Sequence, residues 1–234
     1  MNILQHMGIK KTTASIIKKN LMIKIVAISI SGLTLVVGIT YAIAFFYKNT
    51  GSFTVSLNRY DMLKTGISIS ETADFKKPTS HLSAAALENA INISGNDLPD
   101  DLQSKDGSYG GQNFIGYTYY VKNAGDSTIT YKNSLDIEKA TMNVDAAIRV
   151  KVFVDGVPTD YAKPKKDNSG PEPGTAPFAS SGVVMQSVQQ DFEPGQIHKY
   201  TIAIWLEGND PDCIDDILGG MVKLTMNMQI IENI

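Results

Sequence analysis

The chain has 234 residues, a net charge of −3 at pH 7 and a single cysteine, Cys213. Five lysines and no acidic residue precede Ile25, so subtracting those lysines from −3 leaves −8 for the remainder. An acidic body argues against nucleic acid and anionic lipid as partners, and one cysteine excludes an intramolecular disulfide. We expect no required cofactor and a buried Cys213 thiol.

An uncharged, apolar stretch runs from Ile25 to Phe46, directly behind these lysines. As a helix it would be about 33 Å long, close to the thickness of the hydrocarbon core of a bilayer. Because Lys-rich flanks stay cytoplasmic, we expect the chain after Tyr47 to lie outside the cell. The sequence therefore divides into a leader at 1–46 and an extracellular domain at 47–234.

The leader sequence is consistent with either a cleaved signal peptide or a retained membrane anchor. A basic region, an apolar region and a small-residue site together make a secretory signal, and Ala42 and Ala44 supply such sites for a signal peptidase. The apolar region is long for a signal, so retention as a membrane anchor is the alternative. Cleavage would leave the next strand as the free first strand of the mature protein.

Alternation of apolar and polar residues predicts strands along most of the domain. The first strand lies within 51–58, where Phe53, Val55 and Leu57 share one face. Further strands are predicted at 66–70, 114–121, 128–137, 146–154, 183–188, 198–207 and 221–231, with a short one near 159–162. About eight amphipathic strands with little helix predict an all-β, antiparallel β-sandwich of jelly-roll-like or immunoglobulin-like type.

Three segments between these strands lack the alternation. Residues 79–93 are ambiguous, because Thr79 and Ser80 could cap a short helix. Residues 92–111 are rich in Gly, Asn, Asp and Ser and predict a long loop. Residues 155–182 are rich in Pro, Gly and Lys and predict a surface loop that does not pack.

An acidic loop between the last two strands is the most distinctive motif. Asp210, Asp212, Asp215 and Asp216 fall within seven residues, and hard cations such as Ca²⁺ bind closely spaced carboxylates. The spacing does not match the EF-hand loop. The plainer interpretation is that these Asp residues cap a short turn at 214–218.

Catalytic motifs are missing from the sequence. The three histidines are His6, His81 and His198, and they form neither an HExxH motif nor another zinc-binding spacing. No GxSxG motif is present for a serine nucleophile. The sequence therefore predicts a protein that is not an enzyme.

Aromatic residues are the remaining candidates for a binding surface. Tyr117, Tyr119 and Tyr120 belong to one predicted strand, and Trp205 to another. Neighbouring strand residues face opposite ways, so Tyr119 and Tyr120 are not expected to share the core. An exposed ring could bind glycans or a partner, whereas packing in the core or across strands is the commoner alternative.

The leader junction GITYAIAFF, the following SFTVSLN and the later blocks YTIAIWLEGNDPDC and IDDILGGMVKLTMNM resemble exported Gram-positive proteins related to TasA and camelysin. Those proteins are processed by a SipW-type signal peptidase. The resemblance extends over the architecture of the whole chain. Relative to the family junction, Ile43 and Ala44 are inserted here.

The resemblance implies a jelly-roll domain and a surface or biofilm-matrix role. TasA-type members form fibres in which the first strand of one subunit completes the sheet of the next. Phe53, Val55 and Leu57 would then fill a neighbour's groove, or else complete their own sheet. The implied partners are further copies of the chain or related matrix proteins, the signal peptidase, and the membrane where the leader is retained.

Three functions follow in order of preference. The first is a non-enzymatic, exported surface or matrix protein. The second is a membrane-anchored binding module that depends on calcium. The third is a surface metalloprotease, by analogy with camelysin, although no metal-site pattern supports it.

Overall fold

The computed structural model describes residues 13–49, 53–84, 90–167 and 169–231, and in the first range the side chains of 18–41. The chain divides into two compact units after Asn49. The first contains helix α1 (Thr13–Asn49). The second is mainly β-structure and includes a short helix, α2 (Arg59–Thr65).

Twelve strands are found in the described residues, rather than about eight, because several short strands lie in segments predicted to be loops. They are β1 (Phe53–Leu57), β2 (Ile67–Ser70), β3 (His81–Ser83), β4 (Gly107–Gly110), β5 (Phe114–Asn123), β6 (Ile129–Ala140), β7 (Ile148–Val154), β8 (Val157–Ala162), β9 (Ala176–Pro177), β10 (Val183–Phe192), β11 (Ile197–Leu206) and β12 (Val222–Ile231).

The strands form two sheets, which confirms the predicted β-sandwich. The five-stranded sheet has the order β10-β6-β12-β1-β3, and the seven-stranded sheet has the order β2-β5-β11-β7-β8-β9, with β4 also paired to β5. Most neighbours are antiparallel, as predicted. The β1–β12 and β8–β9 pairs are parallel, so the sheets are mixed.

Large aromatic side chains fill the main core. Tyr117, Tyr119 and Tyr200 come from the seven-stranded sheet and Tyr131 from the five-stranded sheet, and all four are fully buried. Tyr119 and Tyr200 lie directly opposite each other on β5 and β11, and their rings stack at 5.2 Å with planes only 8° apart. Such cross-strand aromatic pairs stabilise a sheet beyond the area that they bury.

The second face of the seven-stranded sheet is also covered. Leu98 and Leu102 come from the segment predicted to be a long loop, and they pack against Ala203 and Trp205. The hydroxyl of Tyr120 lies on this side and donates to Asp106 Oδ1 at 2.7 Å. Tyr119 and Tyr120 therefore face opposite sides of the sheet and do not share the main core, as expected, but Tyr120 is also buried because this second face is covered.

The segment 155–182 also packs, contrary to the prediction of a surface loop. It contributes β8 and β9 to the seven-stranded sheet, and the side chain of Phe178 enters the main core. The short strand near 159–162 is confirmed as part of β8. The composition of 155–182 led to the wrong prediction, because its Pro and Gly residues form turns between short strands and do not prevent the segment from packing.

The ambiguous segment 79–93 begins as a strand, because His81–Ser83 forms β3 beside β1. The remainder of the expected helix, 85–89, lies outside the described residues.

The short connection from β1 to β2 contains helix α2, which is capped at both ends. Asn58 accepts from the backbone N–H of Tyr60 at 2.9 Å, and Gly66 takes φ 76° at the carboxyl end, a conformation that favours glycine.

Candidate functional site

The described part of the predicted leader, from Thr13 onward, belongs to one long helix. Its span Lys18–Tyr41 has a mean hydropathy of 2.2, and none of its side chains is buried. This span is long and apolar enough to cross a membrane, a property that signal sequences share. Ala42 and Ala44 lie in the last part of α1, where side chains are outside the described residues.

The predicted assembly strand completes its own sheet. Strand β1 lies between β12, to which it is parallel, and β3, to which it is antiparallel. Phe53 and Val55 are fully buried and Leu57 is 3% exposed, so all three side chains belong to the main core. Donation of β1 to a neighbour would therefore be an exchange, in which the strand leaves its own slot and enters another.

The structure does not gather the four carboxylates of the predicted calcium site. Asp210 is buried against Arg149, and Asp212 forms an ion pair with Lys166 at 2.7 Å. Asp215 and Asp216 lie exposed in a 3₁₀ turn, Asp215–Ile217. Among the described residues, no group of three or more His, Cys, Asp or Glu is placed to hold a metal ion.

A buried charge cluster occupies that position instead. Arg149 points to the outer face of β7, and its Nη2 lies 2.5 Å from Asp210 Oδ2 and 3.7 Å from Glu172 Oε2. All three residues are at most 7% exposed. Nη1 of Arg149 also donates to the carbonyl of Ile148 at 3.3 Å. One cation therefore compensates two carboxylates out of water.

This cluster joins three segments that are distant in sequence. Arg149 belongs to β7, Glu172 to the segment after β8, and Asp210 to the acidic loop after β11. The sequence does not reveal it, because Arg149 alternates with the apolar residues of β7 and the two acids lie in segments predicted to be loops. The one available signal was a pair of cations, Arg149 and Lys151, that alternate with apolar residues in the strand IRVKVFV.

A second polar network lies inside the sandwich. Tyr131 Oη is 2.6 Å from His198 Nδ1 and 3.0 Å from Tyr200 Oη, and Asn133 Nδ2 donates to Tyr200 Oη at 2.7 Å. Burial raises the pKa of both tyrosines, that of Tyr200 to about 12. Both phenols therefore stay protonated and link β6 to β11 across the core.

The hydrogen bonds of Gln196 identify the tautomer of His198. Gln196 Oε1 accepts from the backbone N–H of Glu193 at 3.0 Å, so its Nε2 faces His198 Nε2 at 3.1 Å. An amide donor at that position requires His198 Nε2 to accept, and the proton then lies on Nδ1, directed at Tyr131. Burial lowers the pKa of His198, and Asp155, whose Oδ2 is 3.9 Å away, only partly opposes this.

Neither polar cluster resembles a hydrolytic site. In the described residues, the side chain of His198 has polar contacts with Tyr131, Gln196 and Asp155, and none of these residues is a serine or a cysteine that could act as a nucleophile.

Cys213 is half-buried rather than buried, and its Sγ accepts a hydrogen bond from Asn92 Nδ2 at 3.3 Å. The arrangement locks the strands and loops together; the absence of enzymatic activity stays a prediction.

Comparison with known proteins adds little. No protein family matches the chain, and no curated protein matches it. Five solved chains match it, among them two crystal structures of β-glucosidase from Kluyveromyces marxianus, one in complex with glucose. These two are 8% and 7% identical over 72% of this chain, with TM-scores of 0.23 and 0.26, and the match spans 15% and 17% of the enzyme. Likeness at this level carries no argument about activity.

We expect Arg149→Met to lower the free energy of unfolding by about 3–5 kcal/mol, because it leaves two buried carboxylates without their cation. The matched control is Lys151→Met on the same face of β7. Lys151 pairs with Asp160 at 3.5 Å near the surface, so its loss should cost less than about 1 kcal/mol. Denaturant unfolding of both variants measures the difference, and equal costs would contradict the buried cluster.

We expect the protein to lose stability as the pH falls below 6.5, the ordinary pKa of histidine. His198 has a lowered pKa when folded, so the unfolded chain binds more protons in the window below 6.5. His198→Gln should remove this part of the pH dependence. His81→Gln, at an exposed position on β3, is the control and should follow the wild type. Melting curves between pH 5 and pH 8, a window of about three units around the histidine pKa, provide the measurement.

Proposed function

We propose that this protein is a non-enzymatic, exported component of a cell surface or extracellular matrix. The observation that carries the proposal is that one chain contains both an exposed apolar helix and a β-sandwich with its own core. The helical span Lys18–Tyr41 is preceded by lysines, which favours an inside amino end and an outside sandwich. A domain without disulfides outside the cell relies on packing, and two buried faces of one sheet supply it.

We further propose that copies assemble by exchange of β1. This strand begins four residues after α1 ends, so it is the first ordered element that follows the leader. Burial of each large apolar side chain of β1 is worth about 1.5–3 kcal/mol, and the same groove in another copy offers the same gain. Backbone groups of β12 and β3 would pair with the incoming strand as they do with their own.

A tethered ectodomain is the second candidate. It is favoured by the length of α1, whose 37 residues exceed the about 20 that a membrane span requires. In that form the leader is kept, and the sandwich stays beside the membrane as a binding module.

We expect the protein made in a Gram-positive host to begin just after Ala42 or Ala44. Intact mass and amino-terminal sequencing of the exported protein give the answer directly. Replacing both alanines by Leu should leave the leader attached, because signal peptidases require small residues at the site. Ala27→Leu, inside the apolar span, is the control and should be processed normally. An intact leader on the wild-type protein in the membrane fraction would favour the tethered form.

We expect deletion of 51–58 to abolish polymers and to lower the melting temperature, because the slot between β12 and β3 is then empty. A synthetic peptide with the sequence of 51–58 should bind this variant and raise its melting temperature. The same peptide carrying Val55→Asp is the control, since it would bury an unpaired charge. Persistent polymers in the deletion variant, without an effect of the peptide, would contradict exchange of β1.

A further inference from the structure

The sheet edges of the domain differ greatly in length. The seven-stranded sheet ends at β9, with two residues, and at β2 and β4, with four residues each. The five-stranded sheet ends at β3, with three residues, and at β10, with ten. Short edges offer few backbone groups to another chain, so β10 is the long edge of the described structure.

Part of β10 is already paired on its outer side. Val183 exchanges backbone hydrogen bonds with Ser180 at 3.0 and 3.3 Å, and Val184 accepts from Ala179 at 3.2 Å. Beyond them lies the segment Met185–Gln190, of which Met185–Gln189 pairs with β6 on its inner side, whereas Gln190 falls at a register shift. Within the described ranges, the segment has no backbone partner on its outer side. We call this six-residue segment the open edge.

The open edge lacks the usual protection against pairing. Its sequence, MQSVQQ, contains no charge, no proline and no glycine. Natural edge strands are commonly blunted by lysine, proline or inward charges, and β9, for example, contains Pro177. Irregular register at both ends of β10 confines its regular pairing with β6 to Met185–Gln189.

The solvent face of the open edge has an apolar centre. Val188 is 48% exposed, and its neighbours on the same face, Gln186 and Gln190, are exposed amides. An antiparallel copy of the segment with Val188 at the twofold axis would place Val188 opposite Val188, and Gln186 opposite Gln190. No charge faces a like charge in this register, and amide side chains hydrogen-bond to one another.

We propose that two copies of this chain associate through β10, pairing their open edges antiparallel about a twofold axis at Val188. The two five-stranded sheets then form one continuous sheet across the dimer. An isologous contact of this kind closes on itself, since each copy uses the same strand. The inference goes beyond the proposed function, because it requires neither export nor release of β1, which is separated from β10 by β6 and β12.

The test uses the full chain in detergent micelles and measures its self-association by sedimentation equilibrium. Val188→Lys places like charges opposite each other at the axis and should weaken the dimer at least about tenfold. Val157→Lys is the matched control, because Val157 is 69% exposed on β8 of the other sheet. It should dimerise as the wild type does, and both variants should keep the wild-type melting temperature.

Three results would overturn the proposal. The first is that the wild-type protein stays monomeric up to about 1 mM, a concentration at which even weak interfaces populate dimers. The second is that the dimer survives in both lysine variants. The third is that the dimer is lost equally in both. Dimers formed by α1 would give the second result. Loss of polymers on deletion of 51–58 with an intact β10 dimer would separate this contact from exchange of β1.

Disulfide trapping tests the register. In a Cys213→Ser background, Val188→Cys should form a covalent dimer under mild oxidation, because directly opposed residues bring their Cβ atoms to about 5 Å. Val157→Cys should not. Absence of the Val188→Cys dimer, or equal trapping at both positions, would overturn the pairing about Val188.

Discussion

Water has to be excluded from both faces of the seven-stranded sheet, and the rest of the domain is arranged around that constraint. One face packs on the five-stranded sheet through stacked tyrosines. The other face carries Trp205 and Ala203, and no second sheet among the described strands covers it. The segment 92–111 covers it with Leu98 and Leu102, and Glu172 of the segment 155–182 reaches the same face through Arg149.

Covering a sheet with loops brings polar groups out of water, and the buried charge cluster is the consequence. Arg149 lies on the covered face, so its charge is compensated by Glu172 and Asp210 from the covering segments. Tyr131 and His198 meet inside the sandwich, where each phenol or imidazole has to find a partner. Both networks make the fold depend on contacts between distant segments, and the second includes His198, whose pKa is lowered by burial.

The five-stranded sheet presents a different problem, because its strands are not closed into a barrel. Strand β1 fills a position between β12 and β3 with three buried side chains, whereas β10 ends the sheet with the uncharged, six-residue open edge. A central strand such as β1 stabilises a contact by burying its side chains in a groove. An edge offers backbone pairing with little buried area, so contacts through β10 should be weaker than those made by β1.

The sequence by itself determined what depends on neighbouring residues. A continuous apolar run located α1, and alternation located the long strands and the face on which Phe53, Val55 and Leu57 lie. Both patterns involve only residues that are close in sequence. Only the tertiary structure decided which strands pair. Phe53 lies beside Leu224, and Arg149 beside Asp210. No local pattern records partners so far apart in the chain, and so two of the four carboxylates expected to share a cation, Asp210 and Asp212, are instead paired with Arg149 and Lys166.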